Sequence, residues 1–318
     1  MKPSLKILLY ALASSIMGVC WYPAQAQTDA DAIMMAKRNF CVGAVYGYSS
    51  WDHYWEGTLK RNNENLGTVS TQSVAVMGNY GISSKLNILF GIPYIQTKAS
   101  AGTLHGLKGM QDLSLWVKYM PVETDLGAGT LSLYGVGGIS FPVSNYVVDF
   151  LPLSLGLGST NLTLRAIADY QVGDFFATAS GSYVVRSNTT IDRSSYYTTE
   201  MHYTNKVSMP NATQYNVRLG YRTERMIAEA MLSNWTTQGG FDITRNNMPF
   251  PSNRMNMTNA GLALKYNVKA VDGLALIANT SYTLAGRNVG QATSFNGGVF
   301  YILAFHATKK DSNKPAQN

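Results

Sequence analysis

From Asp112 to Tyr119 the chain alternates strictly. Leu113, Leu115, Val117 and Tyr119 fall on one face, and Asp112, Ser114, Trp116 and Lys118 on the other. Only the two-residue side-chain period of a strand separates residues in this way. In a soluble sheet the greasy face would lie on a core. Here nearly every strand-like segment repeats the pattern, and no separate set of apolar elements exists to cover the greasy sides, so they face lipid. The fold this implies is all-β: a transmembrane, antiparallel, up-and-down barrel of about twelve strands.

The punctuation between segments gives the order. Strands are expected over about 42–50, 71–80, 85–96, 112–119, 130–141, 161–170, 175–186, 214–222, 226–235, 260–266 and 274–284, with a last one carrying Val299, Tyr301, Leu303 and Phe305. Short links at 81–84, 120–129, 172–174, 223–225 and 267–273 alternate with long polar loops at 51–67, 97–110, 142–160, 187–211 and 236–257. A tyrosine precedes each short link: Tyr80, Tyr119, Tyr170, Tyr221 and Tyr266. With Phe305 closing the last strand, these six form the aromatic girdle expected at one membrane interface. Phe305 also resembles the terminal aromatic of outer-membrane sorting signals, although a polar tail, 306–318, follows it.

Composition fits this frame. Only 14% of the 318 residues are charged, while 20 are tyrosine. Lys2 and Lys6 precede an apolar run from Ile7 to about Trp21, and Ala24-Gln25-Ala26 provides small residues at a cleavage site, so residues 1–26 read as a signal peptide. Residues 27–41 read as a periplasmic lead-in with a short helix over Ala30–Lys37, and 42–305 as the barrel. Cys20 leaves with the signal, and Cys41 is then a lone, buried, inert thiol. The net charge of +7 falls to +5 without Lys2 and Lys6, and the cations are scattered, which gives no support to nucleic-acid binding. The location implied is the bacterial outer membrane, with its lipid and a small solute as partners. The oligomeric state is not legible.

The inward face carries Asp112, Lys118, Arg165, Asp169, Arg186, Arg218, Arg222, Glu229 and Lys265 as pore-lining candidates. At twelve strands the lumen is wider than a side-chain-filled eight-stranded barrel and narrower than an open sixteen-stranded one, hence a narrow or plugged pore. The nine charges either line a solute path and set its selectivity or pair with one another. An outer-membrane lipid hydrolase needs a serine within reach of an oriented histidine. His53, His105 and His202 fall in long loops and His306 beyond the last strand, so no catalytic role is assigned and the chain reads as a non-enzyme. A structural or surface-binding barrel is the third reading. No pair of histidines has metal-ligand spacing, and no cofactor or metal is expected. Gly135-Val136-Gly137-Gly138 opens no helix and is no phosphate loop.

Tyr80-Gly81-Ile82, Leu86, Gly91-Ile92-Pro93-Tyr94, Gly109, Asp112-Leu113-Ser114-Leu115 and Lys118-Tyr119 together resemble the recurrent core of the MetA-pathway-of-phenol-degradation family of outer-membrane channels. The resemblance covers about Tyr80 to Pro142. It implies a transporter-like outer-membrane barrel that passes small solutes, hydrophobic or aromatic ones among them. It carries over no substrate site, and Asp112 and Lys118 transfer only as motif positions.

Overall fold

A computed structural model describes residues 28–305 except 245 and 246. The signal peptide and the polar tail with His306 lie outside the described residues. Among the described residues twelve long strands form the barrel wall: Asn39–Trp51 (β1), Val69–Gly81 (β2), Leu86–Ala99 (β3), Asp112–Leu126 (β4), Gly129–Pro142 (β5), Asn161–Val172 (β6), Phe175–Arg186 (β7), Ala212–Arg222 (β8), Met226–Thr237 (β9), Asn256–Asn267 (β10), Leu274–Arg287 (β11) and Thr293–Ala304 (β12). Each pairs antiparallel with its neighbours in sequence, and β1 pairs with β12 from Asn39↔Ala304 to Ser50↔Thr293, which closes the wall. Closure leaves no unpaired edge, the condition for a sheet in hydrocarbon.

Burial is inverted relative to a soluble protein. Lys118 is 0% exposed and Asp169 4%, whereas Leu164 is 65% and Phe175 69% exposed. Charged groups turned inward and leucines turned outward make sense only with lipid outside the wall.

The strands run further than the apolar pattern suggests. β10 begins at Asn256 and β11 reaches Arg287. These extensions lie at the long-loop end, where the ladder continues beyond the apolar alternation. β4 departs most. It was expected to end at Tyr119, yet it continues to Leu126 through a register shift between Tyr119 and Val122, leaving only Gly127 and Ala128 as the link. Pro121, which has no N–H for the ladder, falls inside that irregularity, where a bulge accommodates it.

The long loops are structured. Residues 51–67 hold a small hairpin, His53–Glu56 against Leu59–Asn62. The 187–211 loop holds two short ladders around Ile191, Tyr196, Val207 and Met209. The 143–160 loop folds inward: Leu153 is fully buried beside Leu66 and Val69, and its carbonyl accepts from Thr97 Oγ1 at 2.7 Å.

Candidate functional site: a lumen and its resident segment

The helix expected over Ala30–Lys37 does not form. Residues 28–38 run inside the barrel without helix, and the wall begins at Asn39. The backbone groups a helix would satisfy internally are taken by side chains of the wall instead. Lys118 Nζ donates to the carbonyls of Asp31 at 2.9 Å and Ile33 at 3.4 Å, to that of Thr28, and to Asp31 Oδ1 at 2.9 Å. Tyr134 donates its hydroxyl to the Ala32 carbonyl at 3.0 Å. Asp31 Oδ1 also accepts from the Ile33 backbone N–H at 3.1 Å, a local turn that competes with helix.

Apolar side chains seat the segment as well. Met35 packs with Cys41, Ala275 and Phe300, Ile33 with Phe176 and Ile227, and Ala32 with Met120, Tyr134, Val136 and Ile167. Burying Ile33 and Met35 stabilises the seated form by about 1.5–3 kcal/mol each. At Arg38 the backbone enters the left-handed region, φ 62°, and the chain turns into β1. Gly81 permits the close approach there, since a Cβ would lie 2.2 Å from the Ala36 carbonyl oxygen.

All nine expected pore-lining residues project inward, and most have partners. Lys118 meets Asp31, and Arg165 meets Asp29 of the segment while donating to Gln214 Oε1 at 3.1 Å and lying 5.7 Å from the Trp116 ring centre. Arg218 pairs with Glu229 at 2.8 Å, and Arg222 with Asp169 at 2.9 Å. Lys265 is buried and shares a cavity of about 240 Å³ with Glu229, Arg218 and Asp31. Asp112, at the long-loop end of β4, accepts from the Tyr146 hydroxyl at 2.7 Å. Burial first, and then that carboxylate, push the Tyr146 phenol well above its ordinary range. Arg186, at the end of β7, donates to the Pro210 carbonyl at 3.4 Å.

The segment lies between two larger spaces. Toward the long loops is a vestibule of about 480 Å³, lined by Asp112, Trp116, Arg165, Arg186, Trp235 and Leu157 among others. Toward the short turns is a space of about 870 Å³ bounded by residues 32–36 of the segment and by Tyr134, Asp169 and Arg222. Residues of the segment line both spaces.

The six aromatics expected to form a girdle keep at least part of their surface accessible. Tyr80, Tyr119, Tyr266 and Phe305 are exposed, and Tyr170 and Tyr221 are half-buried. Tyr221 packs edge-on against Phe175 at 5.4 Å, and the Tyr170 hydroxyl donates to the Leu126 carbonyl at 2.8 Å. Because β4 runs on to Leu126, Tyr119 sits inside its strand rather than before a turn.

His53 Nδ1 lies 2.7 Å from Asp52 Oδ1, and His202 Nε2 lies 3.0 Å from Thr198 Oγ1, both in the loops. Among the described residues no serine hydroxyl is hydrogen-bonded to either ring, and no group of three or more His, Cys, Asp or Glu could hold a metal. Cys41 is buried against Met35. The functional residues missed in the sequence are Asp29 and Asp31. The available signal was an imbalance: the inward set holds six cations against three carboxylates, a shortage that acidic residues outside the wall could relieve.

No family model and no curated protein matches this chain. Among solved structures it is similar to the COG4313 outer membrane channel from Pseudomonas putida F1, at 14% identity and a TM-score of 0.69, over 87% of this chain and all of that one. It is also similar to the translocator domain of the autotransporter NalP from Neisseria meningitidis, at 13% identity, a TM-score of 0.49 and 94% of each chain. The first likeness establishes the fold, that of an outer-membrane β-barrel.

Proposed function

We propose that this protein is an outer-membrane channel for small solutes, hydrophobic or aromatic ones among them, and that its own N-terminal segment is the closure of the channel. The observation that carries the reading is the seating of residues 28–38 between two lumenal spaces, held by Asp29–Arg165 and Asp31–Lys118. The polar lumen, the apolar belt and the likeness to a solved channel all support it. The test is swelling of liposomes containing the purified full chain. Swelling in small neutral and aromatic solutes is expected, and a barrel that inserts yet passes none contradicts the reading.

A further inference from the structure

Four of the six lumenal cations meet a carboxylate within 4.0 Å among the described residues. Arg165 is neutralised by Asp29, Lys118 by Asp31, Arg218 by Glu229 and Arg222 by Asp169. Arg186 faces the vestibule from the end of β7 with no carboxylate within 4.0 Å among the described residues, and its guanidinium hydrogen bond is a 3.4 Å contact to the Pro210 carbonyl. The guanidinium fork suits a bidentate carboxylate, and that capacity is unused.

The surroundings of Arg186 select further. Trp116 is sandwiched, since its ring lies so close over Gly138 that a Cβ there would meet it at 1.9 Å, and Arg165 covers it from the lumen. Trp235 lines the same vestibule, and among the described residues no aromatic ring stacks on it. Leu157 and Val184 add apolar surface. The volume of about 480 Å³ is in the range of small-molecule sites. Asp112, the other vestibule acid, is engaged by Tyr146 and disfavours a second negative charge on a ligand.

We infer that the vestibule is a binding site for a monocarboxylate with an apolar ring, its carboxylate on Arg186 and its ring against Trp235. The inference rests on the channel reading and names the solute class for it. A ring positioned by Trp235 and a charge positioned by Arg186 would enter the lumen already desolvated, above the segment that closes it.

Isothermal titration of the detergent-solubilised full chain with sodium benzoate tests this without requiring conduction. Benzoate is expected to bind wild type, and Arg186→Gln to weaken it about tenfold or more, the usual worth of a hydrogen bond to a charged group. Arg186→Lys should retain part of the affinity. Benzyl alcohol, the same ring without charge, should bind more weakly and be indifferent to Arg186→Gln. Acetate should bind more weakly than benzoate. If heat-modifiable mobility shows R186Q to be misfolded, Trp235→Ala is the alternative arm, and it should weaken benzoate while leaving acetate unchanged. Equal benzoate affinity in wild type and a folded R186Q, absence of benzoate binding, acetate as good as benzoate, or inorganic phosphate bound more tightly than benzoate would each overturn the inference. A chain that conducts but does not bind benzoate contradicts this inference alone. One that binds benzoate but never conducts contradicts the channel reading alone.

Discussion

Lys118 Nζ and Asp31 Oδ1 lie 2.9 Å apart inside the barrel although 87 residues separate them in sequence, and the lysine side chain is entirely buried. The pair fastens the N-terminal segment to the wall at β4. Its worth lies in what its loss would leave, a buried carboxylate without its counter-charge and backbone carbonyls without the ammonium that donates to them. Removing one member of a buried pair typically costs about 3–5 kcal/mol.

Lys118→Met should therefore loosen the segment without opening the wall. Ala32→Cys places a thiol at a buried position of the segment, and Cys41 is itself buried. Maleimide labelling of position 32 should be at least about tenfold faster with Lys118→Met than without it. Equal labelling rates would mean the lysine does not hold the segment.

Arg218 and Glu229 form a pair within the wall, both largely buried. Arg218→Met should lower stability to urea by roughly 3 kcal/mol, and adding Glu229→Met should recover most of the loss because no uncompensated charge remains. A double variant as unstable as the single would argue against the pair.

Two glycines on β5 should differ. At Gly138 a Cβ would collide with the Trp116 ring, whereas at Gly135 it would meet nothing within 4 Å. Gly138→Ala should cost about 1–3 kcal/mol of stability and disturb the ring under Arg165, while Gly135→Ala should change little. Urea unfolding followed by tryptophan fluorescence reads both.

Asp242, in the loop between β9 and β10, is held below the ordinary aspartate range chiefly by hydrogen bonds from Arg287, with Asn288 contributing. A carboxyl lowered in the folded state stabilises above its unfolded value of 3.8 and loses that contribution as pH falls through the lower folded value. The loop should resist pepsin at about pH 4 and be cut near pH 2, whereas Asp242→Asn should be cut equally at both. Cleavage of wild type unchanged between the two would contradict the linkage.

The wall was largely legible because alternation, turns and girdle tyrosines are local signals: β7 ran over Phe175–Arg186 as read, and all nine inward charges face the lumen. The resident segment was not legible. Thr28–Arg38 reads locally as a short helix over Ala30–Lys37, whereas its conformation is set by Lys118, Arg165, Tyr134 and Phe300, which lie far along the chain on different strands. The run of β4 past Tyr119 was hidden by Pro121, which usually ends a strand and here occupies a bulge.

Single-channel conductance in planar bilayers measures directly whether the segment closes the channel. The full chain is predicted to give small steps, and a chain lacking residues 28–38, folded to the same heat-resistant barrel, to give clearly larger ones. Equal steps from the two would contradict it.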